Sequence, residues 1–289
     1  MIAPAFFTLP KPFANDHIAV IQYNAIKSWT ISNPQSDIFL IGDEIGVKEI
    51  SDELRVQHLP FVQRNQFGTP LINSALHIAG SRTNAPDLVY INTDIILIDH
   101  FSTLRSTLPL DSFLLIGQRT DLDVSEPLTF RPGWESQLMD QVSKIGKLHS
   151  KSGIDYFMFQ KEIWNDLPPF AVGRAGWDNG FIFLARSRNI PVIDATTFVR
   201  AVHQNHSHTS QQIQNGDWHG PERDENIRLS GGSKSLMTIA DALYRIDGSS
   251  LIKNRLSFNF IQKFLFKAPS ILIKHTVAKK ALPLHRSAS

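Results

Sequence analysis

Between Leu88 and Ile98 the chain reads LVYINTDIILI, two apolar runs separated by the polar triplet Asn92-Thr93-Asp94. Strand-forming residues on both sides of a short polar break predict a buried strand whose carboxyl end opens onto a site. Similar runs recur upstream. Ala5 to Leu9 predicts a first strand, with Pro10-Lys11-Pro12 keeping the chain extended at its exit. Ile18, Ile21, Ala25, Ile26 and Trp29 fall at helical spacing behind a cap at Asn15 or Asp16. Asp37 to Glu44 is a continuous apolar strand ending in Gly42-Asp43. Strand, helix and strand in this order form a right-handed βαβ unit.

The alternation continues. Val47 to Leu54 predicts a short helix and Val56 to Leu59 a short strand. Thr69-Pro70, after Gly68, supplies a cap and a first-turn proline for a helix through Ala79. Phe101 to Leu108 is patterned as a helix, and Phe113 to Gly117 as a buried strand from whose end Arg119 to Asp123 leads away. Alternating β and α implies a mainly parallel sheet covered on both faces, an α/β three-layer fold. The second half is more aromatic. It predicts a helix within Gly133 to Leu148, a strand at Asp155 to Phe159, a glycine-bearing loop from Phe170 to Asp178 and a helix from Asn179 to Arg188. A strand from Ile190 to Ala201 then runs into Val202-His203-Gln204-Asn205-His206-Ser207-His208, and Gln211 to Gly232 is patterned as a polar loop or lid.

Composition narrows the class. The 289 residues are 42% hydrophobic and 19% charged, as expected of a globular protein with a sizeable core. No apolar run approaches the roughly 18 residues that span a bilayer, and no basic start leads into an apolar stretch with a cleavage site. With no cysteine, disulfides and thiolate metal sites are excluded, which fits a reducing, cytoplasmic compartment. The net charge of +2 conceals a division: Gly248 to Ser289 carries eight Lys and Arg and no acid, so the tail is +8 and the rest −6. The acidic body argues against nucleic acid as a partner. In the tail Leu251, Ile252, Leu256, Phe260, Ile261, Phe264 and Leu265 interleave with the basic residues. That pattern gives either an amphipathic helix drawn to anionic lipid at the inner face of a membrane or a helix packed on the core with a solvated basic face. The expected organisation is a catalytic domain over 1–210, a loop or lid with a connecting helix over 211–247, and the basic tail over 248–289.

Ligands of open α/β sheets sit beyond the carboxyl ends of the strands. A carboxylate there, Asp94, is costly unless neutralised, and a divalent cation carrying a phosphate would do so. The competing reading is an Asx turn. Mg²⁺ and Mn²⁺ use one or two carboxylates plus substrate phosphates, and an added imidazole from His203 or His206 favours Mn²⁺. His208 and His219 read as surface residues, and a zinc set of His203, His206 and His208 lacks a carboxylate to orient the rings. Asp178 beside Trp177 is either a helix cap or a general base tuned by its surroundings. Asp155, with Tyr156 and Phe157, suits sugar hydroxyls and a sugar face, or else is a strand start among core aromatics. Arg119 and Arg174 can fork onto phosphate or pair with a nearby acid. Gly231-Gly232-Ser233-Lys234 lacks the spacing of a phosphate-binding loop.

Together, FFTLPKPF, IFLIGDE, RNQFGTPLINSA, YINTDIIL, GIDYFMF, PPFAVGRAGWDNGF and IDATTFVRAVHQNH occur in an order that resembles the nucleotide-diphospho-sugar transferases of GT-A type, in the glycosyltransferase family 2-like group. The resemblance spans roughly residues 5 to 210. It implies a GT-A fold that binds a nucleoside diphosphate sugar and Mn²⁺ or Mg²⁺, and passes the sugar to a glycan or small hydroxyl acceptor. Thr8, Pro10 and Asp43 match positions that hold nucleobase and ribose, joined on the nucleotide side by Asn73, Asn92 and Arg119. Asn92-Thr93-Asp94 is similar to the Asp-x-Asp metal motif with Asn in place of its first acid, leaving Asp94 to bear the coordination. His203, or less so His206, matches the histidine that completes the metal shell in some relatives. Asp178 occupies the place of the base of inverting members, with Asp155, Arg174 and Trp177 on the sugar or acceptor side. Two rivals remain. A nucleotidyltransferase needs a glycine-rich basic loop where this chain has Pro10-Lys11-Pro12, and a silent sugar- or nucleotide-binding module is favoured by the missing first acid.

Overall fold

A computed structural model of the protein describes residues 3–124, 126–206, 219–248 and 250–254. The chain opens with β1 (Ala5–Thr8), wholly buried, and α1 (Asp16–Ser32), whose cap is Asn15: its side chain accepts from Ile18 N at 3.0 Å. Ile21, Ala25, Ile26 and Trp29 form the buried face of α1, as their spacing requires. Then follow β2 (Ile38–Ile41), α2 (Val47–Leu54), β3 (Gln57–Leu59), α3 (Ile72–Ser81), β4 (Asp87–Ile91), β5 (Ile95–Leu97), α4 (Phe101–Thr107), β6 (Leu114–Ile116), β7 (Arg119–Leu122), α5 (Trp134–Ile145), β8 (Lys147–Leu148) and β9 (Tyr156–Gln160). The remaining elements are α6 (Trp177–Ser187), β10 (Val192–Asp194), β11 (Ala201–Gln204), α7 (Pro221–Leu229), β12 (Tyr244–Asp247) and β13 (Ser250–Lys253).

Among the described residues a nine-stranded sheet runs in the order β13-β12-β10-β6-β9-β4-β1-β2-β3. β4, β1, β2 and β3 are parallel neighbours, as are β6, β10 and β12; β9 lies antiparallel between β4 and β6. Alternation on the strands divides the core between the two faces. Phe6, Val89, Ile91, Tyr156 and Met158 join one apolar cluster with Trp29 and Phe101. On the other face Phe7, Tyr90, Phe157 and Phe159 meet Trp164, Trp177 and Phe181 in a chain of ring contacts.

Several boundaries differ from those expected. The Leu88 to Ile98 run is two strands in two sheets: after Asn92-Thr93-Asp94 the chain leaves the main sheet, and β5 enters a small sheet of order β5-β11-β7-β8. The expected strand from Ile190 to Ala201 divides likewise, β10 in the main sheet and β11 in the small one, so His203 lies within a strand rather than after it. Arg119 to Leu122 is itself a strand. Thr69-Pro70 does not start α3; Leu71 holds the cap position, and the segment before it forms bridges, Arg64 with Pro70 and Leu71 with Ala171. Pro221–Leu229, placed in the expected lid, is a helix, and Leu251 and Ile252 lie in β13 rather than in a helix. The rest of the tail, His208 and residues 211–218 fall outside the described residues. Among the described residues no helix is long and apolar enough to cross a membrane.

Candidate active site and metal centre

β1, β2 and β4 are parallel neighbours, so Thr8, Asp43 and the triplet 92–94 leave the sheet at the same edge. The triplet is held from three sides. Asn92 N donates to Asp155 O at 2.9 Å, Ile95 N donates back to Asn92 O at 3.2 Å, and the Thr93 hydroxyl donates to Gln22 Oε1 on α1 at 2.8 Å. Gln22 also clasps the backbone of Lys11, through Lys11 N to Oε1 at 2.7 Å and Nε2 to Lys11 O at 2.9 Å, which fixes the exit of β1. The Asx-turn alternative for Asp94 does not describe this geometry. Its backbone oxygen accepts from Gln204 N on β11 at 3.0 Å, and its carboxylate faces two imidazoles.

His206 Nε2 lies 3.3 Å and His203 Nε2 3.7 Å from Asp94 Oδ2. One ligand atom from each of Asp94, His203 and His206 falls within 4.8 Å of the others. Asp94 Oδ1 is buried with no hydrogen-bond partner among the described residues. A buried carboxylate oxygen left open beside two imidazoles fits a divalent cation, and an O,N,N donor set suits Mn²⁺ better than Mg²⁺. Burial pushes the Asp94 carboxyl up, but the hydrogen bond with His206 and the nearby charges of His203 and Lys11 outweigh it and hold the group well below the usual carboxylate range.

A second set of contacts lies against this group. Asn92 Nδ2 donates to Asp155 Oδ1 at 2.7 Å, while the Tyr90 hydroxyl donates to Asn92 Oδ1 at 2.9 Å. Arg119 donates from one end to Asp155 Oδ2 and from Nε to Asp121 Oδ1, both at 2.9 Å. Burial raises the Tyr90 hydroxyl far above its ordinary value, and the charges of Asp94, Asp155 and Asp178 add to the rise. Asp178 is the second residue of α6; the cap position belongs to Gly176, at φ +91°, so the cap reading of Asp178 does not hold. Part of the Asp178 surface still meets solvent, yet its carboxyl is packed deep, and burial, aided by the charge of Asp155, pushes it up to about 7. The Asn179 N–H and Arg119 pull in the opposite direction without overcoming it.

Thr8 is buried, and among the described residues neither its hydroxyl nor the buried Asn73 Oδ1 at the start of α3 has a hydrogen-bond partner. Pro10 is buried at the same exit. Asp43 is exposed and accepts from Arg64 at 2.7 Å. Trp177 is only 5% exposed and packs edge-on against Tyr90 at 5.1 Å, so it braces the start of α6 and offers no sugar platform; Tyr156 and Phe157 are fully buried as well. Both oxygens of Asp155 are already occupied by Asn92 and Arg119. Arg174 belongs to a different network: it donates to Glu222 Oε2 on α7 at 2.7 Å and to Thr69 Oγ1 at 3.2 Å, and Asn65 donates to the other Glu222 oxygen at 2.6 Å. A cavity of about 160 Å³ opens at the other end of β2 and β3, lined by Asn33, Asp37 and Arg55, remote from these groups.

The sequence left Asp121, His149 and Glu222 unassigned. His149 Nδ1 lies 2.7 Å from Asp121 Oδ2, and His203 Nδ1 lies 3.1 Å from Asp121 Oδ1. Arg119, Asp121 and Asp123 alternate with Thr120 and Leu122, the period of a strand with one polar face, which was the available signal. For Glu222 the signal was Gly220-Pro221 followed by acids at 222 and 224, a helix start.

No family model and no curated protein matches the chain. Solved structures do. S. aureus TarS 1-349 in complex with UDP-GlcNAc matches at 12% identity with a TM-score of 0.52, over 78% of this chain and 65% of that one. Glucosyl-3-phosphoglycerate synthase from Mycobacterium tuberculosis, in complex with Mn²⁺ and UDP-glucose, matches at 12% identity over 88% of this chain and 87% of that one, with a TM-score of 0.45. The chain thus spans just under two thirds of the length of the TarS chain. The TarS likeness shows the fold, that of the GT-A type nucleotide-diphospho-sugar transferases.

Proposed function

We propose that the protein is a glycosyltransferase that moves a sugar from a nucleoside diphosphate sugar, of the UDP-sugar class that TarS is described with, to a hydroxyl of a glycan or small acceptor. The observation that carries the proposal is the grouping of Asp94, His203 and His206 at the carboxyl edge of the parallel strands. Asp94 and the two imidazoles would hold Mn²⁺, or less readily Mg²⁺. Bound there, the cation supplies Lewis-acid stabilisation of the departing diphosphate. Asp178, poised near neutral pH, takes the proton of the attacking hydroxyl, the arrangement of an inverting transferase. Thr8 Oγ1 and Asn73 Oδ1 remain available for the nucleoside, with Pro10 and Asp43 shaping its place. Arg119 and Asn92 act on the nucleotide side through Asp155, which they hold. Arg174 supports the acceptor side by tying the loop before α6 to α7.

The test is product analysis with Mn²⁺ and a panel of UDP-sugars. Free UDP is the expected product, and Asp94→Ala is expected to lower its release by a factor on the order of 10²–10³ with little change in melting temperature. Full activity of Asp94→Ala would refute the assignment. Pyrophosphate as product would indicate nucleotidyl chemistry, and stabilisation by UDP without turnover would indicate a binding module.

A further inference from the structure

We propose that Asp121 is a positioning residue that fixes the His203 ring so that Nε2, not Nδ1, is the nitrogen offered to the cation. This rests on the metal reading above. In the small sheet β7 and β11 are parallel, and His203 stands directly opposite Asp121. The imidazole spans two carboxylates with opposite nitrogens: Nδ1 is 3.1 Å from Asp121 Oδ1 and Nε2 is 3.7 Å from Asp94 Oδ2. A neutral imidazole carries a single N–H, and the nitrogen that binds a metal must be the one without it. Both carboxylates offer only acceptors, but Asp121 at 3.1 Å is nearer to its nitrogen than Asp94 at 3.7 Å, so the proton is assigned to Nδ1 and Nε2 is left for the cation. The Nδ1 contact has the length of a hydrogen bond but not its alignment.

Asp121 is itself held on both oxygens. His149 Nδ1 sits 2.7 Å from Oδ2, and Arg119 Nε donates to Oδ1 at 2.9 Å. Arg119 reaches on to Asp155, and Asp155 to Asn92, so the chain of contacts returns to the triplet that presents Asp94. The orientation of one ligand is thereby tied to the position of the other. A residue serving only to neutralise Arg119 would share the salt bridge but leave His203 unaffected.

Two measurements separate these roles. Nitrogen-15 NMR of the metal-free protein labelled at histidine is expected to show His203 as the Nδ1–H tautomer. Mn²⁺ binding in the presence of UDP, followed by electron paramagnetic resonance, is expected to weaken roughly 10–100-fold in Asp121→Ala. Asp121→Asn, which keeps an acceptor oxygen, should recover most of that loss, with both variants melting cooperatively. Unchanged Mn²⁺ affinity in Asp121→Ala, while Asp94→Ala abolishes binding, overturns the role of Asp121 and leaves the metal site standing. Mn²⁺ binding that survives Asp94→Ala overturns the metal site and this inference with it. Should Asp121→Ala not fold, the wild-type tautomer decides, and an Nε2–H His203 sinks the proposal.

Discussion

Asn92 stands where the resembled motif has its first acid, and the reason is visible in its neighbours. Its amide donates to Asp155 at 2.7 Å while its carbonyl accepts from Tyr90. A carboxylate at 92 would face the Asp155 carboxylate at that distance, and one of the two would have to take a proton. Asn92→Asp is therefore expected to impair the proposed activity rather than raise it. It should lose about 1–3 kcal/mol of stability at pH 8, less at pH 5, by urea denaturation at the two pH values. A gain in Mn²⁺ affinity and turnover would show instead that residue 92 is a ligand position. Asp178 makes the opposite case, a buried carboxyl whose cost the proposed role as base would account for. The folded protein retains its proton up to about pH 7, whereas the ordinary group loses it near 3.8. Ionising Asp178 therefore costs folding stability progressively as pH rises between those values, and the whole cost stands above pH 7. Asp178→Asn should be more stable than the parent at pH 8, on the order of 2–4 kcal/mol, with the gap closing toward pH 4. Its turnover should fall about 10²–10⁴-fold, and kcat/KM of the parent should drop tenfold per unit below about pH 7.

At the scale of elements, what the sequence made legible was the order of strands and helices. Apolar runs such as Phe6-Phe7 and Leu88 to Ile91 admit few readings other than buried strand. What it left hidden was which sheet a strand joins. Leu88 to Ile91 and Ile95 to Leu97 are equally apolar and equally buried, and nothing in their periodicity records that the chain changes sheet at the triplet. Asp94, His203 and Asp178 could be singled out because each adjoins an apolar run at the end of a predicted element, where ligands of such sheets collect. Asp121 and His149 were not, because β7 is short and half polar and His149 follows a strand of only two residues. α7 was missed because PERDENIRL has almost no apolar face; Asn226, one of its buried positions, bonds to the backbone of Ala171. The packing of α7 on α6 leaves room for no side chain at Gly180: a Cβ there would stand 1.9 Å from Ser230 Oγ and 2.8 Å from Ser230 Cβ. Gly180→Ala should cost about 1–3 kcal/mol in thermal unfolding, and adding Ser230→Gly should recover part of it. No recovery would mean that the strain lies elsewhere than in this contact.

Over the whole molecule, charge and fold divide at nearly the same place. β12 and β13 pair antiparallel at the edge of the main sheet, and Asn254 closes them by donating to the backbone of Ala242 and Leu243. Beyond Asn254 the sequence carries seven Lys and Arg and no acid, which leaves −5 on residues 1–254. A basic segment of that kind gains about 1 kcal/mol per cation near an anionic bilayer, and the gain falls with salt. The natural cut is therefore after Asn254, not at Gly248, since the earlier cut removes β13 and strips its partner from β12. A 1–254 chain should keep the melting temperature and the UDP release of the full chain, whereas a 1–247 chain should melt lower. Full-length protein should float with phosphatidylserine vesicles at low salt, release from them at high salt, and lose flotation in the 1–254 form. Equal flotation of the two forms would place any lipid contact on the acidic body, where electrostatics opposes it, and would remove the tail as a membrane anchor.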